Sequence, residues 1–377
     1  MNKLRYLITI MFLAMTLGSY AQTESPTGTA EANHAIYKNK LKRSQDQLTN
    51  EKKTSKAKWW LSRAELMRDI FNLHREFLQQ GRDEVHVKLF YPDPKDTREW
   101  QDEEGNMYKE LEFDLVTITM KNGQVEKWEE KNVLYDDPLP EAKRSLEMAQ
   151  KLDEKGKLDK KIKEQYDLLK RDFERLAIEY FFEPDYQASY RSFSRIDSIN
   201  QKPIMEGAVD TTLLYYTGMA ASRGGMPEEA IQYYTKAIEN DYPEPDIYVF
   251  LKQKYFELGD TAKGVEALET GFKKFPDNQA VLIELINHYL LSGKGEAALE
   301  YLKIAQTDDP ENISFIFAEA TLYDKLGETE KALQTYKRAI EIDPDYFNAY
   351  YNMGVMYYNK AVEMYKEAEK IKTPKEY

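Results

Sequence analysis

From residue 211 onward the apolar positions recur at a fixed pitch. Glycine falls at Gly225, Gly259, Gly293 and Gly327, each 34 residues after the last. Five residues beyond each stands a small residue (Ala230, Gly264, Ala298, Ala332), four further a bulky one (Tyr234, Leu268, Leu302, Tyr336), and three further another small one (Ala237, Gly271, Ala305, Ala339). The alternation of four and three puts these side chains on one face of a helix. Upstream of the glycines a second helical pattern carries the aromatic row Tyr255, Tyr289, Tyr323 and Tyr357 at the same pitch. The spacing predicts a helix on each side of every glycine, with the glycine supplying the positive φ that stops the first. Pro276, Pro310 and Pro344 close three units, and Pro243 closes the first one place late; each fits the approach to the next helix, where a missing N–H costs little. Four units follow, 211–244, 245–278, 279–312 and 313–346. A fifth begins at Phe347 but has Ala361 where the turn glycine belongs, so one helix is expected from 347 to about 371.

This pattern resembles the tetratricopeptide repeat, a unit of two antiparallel helices in 34 residues. The resemblance runs from 211 to 371 without an insertion. It implies an all-α fold, a right-handed superhelical solenoid in which stacked pairs bury what no single pair can, and it implies interaction rather than catalysis. In such arrays the concave groove is lined from the first helix of each pair. Carried over by alignment, its places fall on Tyr215, Met219, Phe250, Gln253, Phe256, Ile283, Asn287, Leu290, Phe317, Thr321, Tyr351, Asn352, Val355 and Tyr358. The family's carboxylate-gripping groove uses Lys and Arg beside Asn, whereas the Lys places here carry Tyr, Val, Ile, Phe and Tyr. An aromatic, amide-bearing, nearly uncharged groove suits an extended segment with apolar side chains, its backbone held by Asn and Gln. For any one of these aromatics, packing between adjacent helices is an equally good account.

Upstream the pattern is less regular. Residues 170–203 read as a degenerate unit, with Phe173, Leu176, Ala177 and Tyr180 on its first helix and Phe193 and Ile196 on its second. Ser189 replaces the usual alanine and Pro184-Asp185 marks the turn. Residues 56–78 show Trp60, Ala64, Met67, Phe71 and Leu78 at helical spacing; 140–152 show Ala142, Leu146 and Ala149 spaced as in the second helices. Pairing the two makes 81–137 an insertion inside a repeat; the competing account makes 31–160 a separate α+β module. Within that stretch 84–91 alternates Val85, Val87, Leu89 against His86, Lys88, Phe90, and 111–120 alternates again. Asn122-Gly123 then signals a type I′ hairpin turn returning through 124–128. Three strands are expected, since a lone hairpin is marginal. The organisation expected is therefore a leader at 1–21, degenerate repeat-like helices at 22–80, a β-rich insertion at 81–137, further degenerate helices at 138–210 and the regular array at 211–377.

Lys3 and Arg5, the apolar run 7–17 and the small residues Ser19 and Ala21 read as a cleavable export signal. The run is too short to span a ~30 Å hydrocarbon core, and a retained anchor is the alternative. No later segment reaches spanning length without charges. The chain of 377 residues carries a net charge of −13, which disfavours nucleic acid and anionic membranes as partners. Cysteine is absent, which removes disulfides, thiolate metal sites and thiol nucleophiles. The expected address is the periplasm or cell surface, and the expected partners are envelope proteins.

Catalytic, metal and cofactor motifs are missing from the sequence, and no cofactor is expected. The four histidines, His34, His74, His86 and His288, form no ligand spacing. Ser292-Gly293-Lys294-Gly295 looks like half a phosphate loop but occupies a repeat turn, and Asp308-Asp309-Pro310 and Asp343-Pro344-Asp345 sit at helix junctions where Asp caps. Two other functions use the insertion: an enzyme accessory whose pocket would include His86 with Asp114 or Glu112, and an envelope glycan binder stacking sugars on Trp100, Trp128 and Tyr91. At the far end the terminal helix has no second helix to cover Tyr357, Met364 and Ile371. It caps the stack, docks a partner, self-associates into a homo-oligomer, or precedes a further repeat.

Overall fold

A computed structural model describes residues 28–207 and 209–370; the expected leader lies outside them. The chain forms two compact units, divided after Phe173.

In the first unit, α1 (Ala30–Asp46), α2 (Glu51–Thr54) and α3 (Ala57–Asn72) are followed by α4 (Glu84–Phe90), four strands, α5 (Pro138–Leu152) and the start of α6 (Asp159–Phe182). α3 packs lengthwise on α5. The contact buries Ala64, Met67, Ala142, Leu146 and Ala149, the small and large positions whose spacing sequence reading picked out. Two nearly enclosed ion pairs fix the helix faces: Arg63 Nε donates to Glu141 at 2.7 Å, and Arg68 Nε to Asp172 at 2.6 Å.

The β region differs from expectation in three ways. Residues 84–91 are not a strand: 84–90 form α4. Asp83 caps it by accepting from the His86 N–H at 2.8 Å, and Glu84 pairs with Lys88 one turn on. Only Val87 of the alternating set is buried, while Val85 and Leu89 are exposed; the residues that face inward are Val87, Phe90 and Tyr91, at helical spacing. The stretch 111–120 is two strands, β2 (Met107–Glu112) and β3 (Val116–Lys121), separated by a tight turn closed by the Phe113 N–H on the Val116 carbonyl. A further strand, β1 (Asp96–Gln101), pairs with β2. The result is a four-stranded antiparallel meander, β1-β2-β3-β4, ending in β4 (Gln124–Glu130). The turn at Asn122-Gly123 is as expected: both residues have positive φ, 50° and 81°, the type I′ geometry. One sheet face, with Leu111, Ile118, Met120 and Val125, packs on Val87, Tyr91, Phe77 and Leu78.

The second unit holds the rest of α6, then α7 (Tyr186–Asn200) and a run of helix pairs: α8 (Thr211–Arg223) with α9 (Pro227–Glu239), α10 (Asp246–Glu257) with α11 (Thr261–Lys274), α12 (Gln279–Leu291) with α13 (Gly295–Asp308), and α14 (Ile313–Lys325) with α15 (Thr329–Ile342). A single helix, α16 (Phe347–Lys370), ends the described chain. Gly225, Gly259, Gly293 and Gly327 take φ of 72°, 80°, 70° and 77° between the helices of each pair. Any side chain there would pay the left-handed penalty of about 1 kcal/mol or more. Side chains of Asp210, Asp260, Asn278 and Asn312 accept the free N–H groups at helix starts. Each pair packs on the next, and every small and bulky residue of the second-helix pattern is buried. The fold is thus all-α in its repeats, a solenoid of antiparallel pairs, with a small antiparallel sheet earlier in the chain.

Candidate functional site

The lining row is set by the first helix of each pair, and the helices sort its members into two kinds. At the start of the array the aromatics are spent on packing. Tyr215 stacks on Tyr242 with centroids 4.8 Å apart and planes 12° from parallel, and Phe250 lies against Tyr215 and Tyr234. Met219 is buried. Burial pushes the Tyr215 phenol well above its ordinary pKa, with Tyr242 and Tyr234 adding to the effect, so it stays a neutral donor. Phe256 closes over Gly264, where a Cβ would sit 2.5 Å from its ring; its other contacts are His288, edge-on at 5.8 Å, and the Lys252 ammonium at 4.7 Å.

In the middle of the array three side chains of the row reach solvent and a fourth packs at the core's edge. Gln253, Ile283 and Asn287 are exposed and Leu290 is half-buried. Gln253 and Asn287 occupy equivalent places in consecutive units, 34 residues apart. Beside them Lys252 reaches across from α10 to Glu284 on α12 at 2.8 Å. Sequence reading missed this pair: it lies one place off the aligned row, and only the stacking of α10 on α12 reveals that the two charges meet.

Towards the end the row is mixed again. Phe317 packs between Tyr336 and Tyr346. Thr321 bonds its own helix at the Phe317 carbonyl and lies 3.1 Å from the Tyr336 hydroxyl. Asn352 donates its amide to that same hydroxyl at 2.9 Å, so this amide is committed inside the array and not offered to a guest. Tyr351, Val355 and Tyr358 are exposed, and with Phe347, Tyr350 and Gly354 they line a shallow depression on α16.

The insertion does not assemble the alternative sites. Cross-strand registry puts Trp100 opposite Tyr108, and the rings stack at 5.3 Å and 7°. Trp128 pairs with Ile118 on the opposite face, and Tyr91 is buried, its hydroxyl 2.6 Å from His74 Nδ1. His86 lies edge-on to Phe90, while Asp114 pairs with Lys95 and Glu112 with Lys131. Among the described residues no group of three His, Asp or Glu side chains could hold a metal ion, and no helix is long and apolar enough to cross a membrane. The Ser292-Gly293-Lys294-Gly295 segment is the α12–α13 turn.

Tetratricopeptide repeat models match residues 212–245, 253–313 and 321–360. The chain carries tetratricopeptide repeats. A stretch of 146 residues is 27% identical to the CTR9 homolog of Arabidopsis thaliana, covering 37% of this chain and 13% of that protein. Among solved structures, MamA protein aligns at TM-score 0.37 and 16% identity over 46% of this chain and 92% of its own. YrrB, described as a TPR protein with an unusual peptide-binding site, aligns at 0.35 and 16% over 48% and 90%.

Proposed function

We propose that this chain is an exported, non-catalytic scaffold that holds an extended, apolar segment of another envelope protein along the first helices of its repeats. The observation that carries the reading is the pair Gln253 and Asn287, amides left in solvent at equivalent places of consecutive units, with the exposed Ile283 one turn before Asn287 on α12. An amide offers both donors and an acceptor, which is what the backbone of a segment in extended conformation needs, and Ile283 with the half-buried Leu290 gives its side chains an apolar seat. The leader at 1–21 and the cysteine-free composition support export to the periplasm or surface. A second copy of the chain is a further partner.

The test is selection of peptides from a random library on the purified full chain, followed by titration calorimetry. Enriched peptides should be apolar and extended, and Asn287→Asp together with Ile283→Asp should weaken them at least tenfold while leaving the far-UV circular dichroism unchanged. Peptides that bind the double variant as well as the parent would refute the reading.

A further inference from the structure

The terminal helix α16 presents a stripe that no part of the described chain covers. Its members, Phe347, Tyr350, Gly354, Tyr357, Ala361, Met364 and Ala368, are spaced 3, 4, 3, 4, 3 and 4 residues apart, the heptad seam of a helix that pairs with another helix. All seven are exposed, whereas the residues that hold α16 to the array, Ala349 and Met356, lie buried on a different face. Gly354 shows what the stripe is missing. Gly218, four units earlier at the equivalent place, meets the Tyr234 ring of its own second helix, 2.7 Å from where a Cβ would stand; at Gly354 nothing lies within 4 Å. The stripe is the surface that each earlier first helix gives to an antiparallel partner helix.

We propose that α16 pairs antiparallel with α16 of a second copy, in one register. Reversed and laid on itself about residue 359, the seam matches large to small in its inner layers. Tyr350 meets Ala368 of the second copy, Gly354 meets Met364, and Tyr357 meets Ala361, with the same pairs repeated by symmetry. A two-fold interface has to be self-complementary in this way. The seam carries no charge, and its flank on the exposed side is Tyr351, Tyr358 and Tyr365. The area is also sufficient. Phe347, Tyr350, Tyr357, Tyr358, Met364 and Tyr365 leave between 50% and 72% of their surfaces in solvent. At about 200 Å² for each large side chain, seam and flank together offer roughly 750 Å² per copy when wholly covered, of the order of the ~800 Å² per partner of a stable interface. The pairing assigns Tyr351 and Tyr358 to the second copy and leaves Gln253, Ile283 and Asn287 free, so it stands or falls apart from the peptide-binding reading.

The absence of cysteine makes the register directly testable in the full chain. A mixture of Tyr357→Cys and Ala361→Cys chains, oxidised at micromolar concentration, should give the 357–361 heterodisulfide in preference to either homodisulfide. A dominant 361–361 disulfide would mean parallel pairing and would overturn the proposal. Sedimentation equilibrium should show a dimer for the parent and a monomer for Ala361→Glu, its dissociation constant raised about 100-fold or more by two unpaired buried carboxylates. Ala361 faces away from the rest of the array, so this variant keeps its helicity. A monomeric parent, or a dimer indifferent to Ala361→Glu, would also overturn it.

Discussion

Two helical glycines, Gly271 on α11 and Gly354 on α16, should respond to the same substitution with opposite sign. Alanine gains about 1 kcal/mol over glycine in a helix interior, and at Gly354 nothing stands in the way. At Gly271 the new Cβ would lie 2.6 Å from Tyr248 Cγ and 2.8 Å from Tyr248 Cβ. A ring can tilt, but Cβ moves only with the backbone of α10, so the two helices must draw apart. Overpacking of this kind costs about 1–3 kcal/mol, and the propensity gain offsets only part of it. Gly271→Ala should therefore destabilise the array by up to about 2 kcal/mol, while Gly354→Ala stabilises it by up to about 1 kcal/mol. At about 2–4 °C per kcal/mol for a unit of this size, the melting temperature should fall by several degrees in the first and rise slightly in the second. The assay is thermal circular dichroism, in the Ala361→Glu background so that self-association does not contribute. A Gly271→Ala protein that melts higher than its parent would show that α10 and α11 do not approach as closely as described.

Ala298 is fully buried where α13 meets its neighbours, so Ala298→Arg should cost more than about 3 kcal/mol; an unchanged melting curve would contradict the register. In the first unit, burial holds the His74 imidazole at a pKa of about 4, with His34 and Arg75 adding to the effect. Above pH 6.5 this costs nothing. As pH falls from 6.5 towards 4 the unfolded chain takes a proton that the folded one refuses, so stability drops by roughly 3 kcal/mol across that window. Glu130, raised by burial, works in the opposite direction by taking its proton first in the folded state. Urea unfolding of the parent and His74→Gln at pH 7 and pH 5 isolates the histidine: the variant should lose less stability on acidification, and equal losses would refute its role.

The array was legible because each unit repeats the same answer. Gly225, Gly259, Gly293 and Gly327 fix the turns, and the small–large–small triplets fix which face is inside. The contact of α3 with α5 left a similar trace, since Ala142, Leu146 and Ala149 have the spacing of the second helices and are buried. The sheet was harder. β1 has all six residues exposed, so it has no buried face to imprint an alternating pattern, and its identity comes only from its hydrogen bonds to β2. Residues 84–91 alternate as a strand does, yet the cap at Asp83 outweighs the alternation; that aspartate was the signal available and unread. Within the binding row, position alone could not say whether an aromatic faces a guest or a neighbour. Tyr215 and Tyr351 occupy the same place in their units, yet the first lies stacked on Tyr242 and the second is exposed.

The α3–α5 hairpin closes across residues 73–137, where an ordinary repeat closes across a few. Joining the ends of a loop some sixteenfold longer costs about 2–3 kcal/mol more in chain entropy. Part of that detour is tied back on itself, since the Val125 N–H bonds to the Arg82 carbonyl and the Gly81 N–H to the Val125 carbonyl, joining the segment before α4 to the start of β4. With that tie in place, the chain left between the facing ends of α3 and α5 is only 73–80 and 126–137.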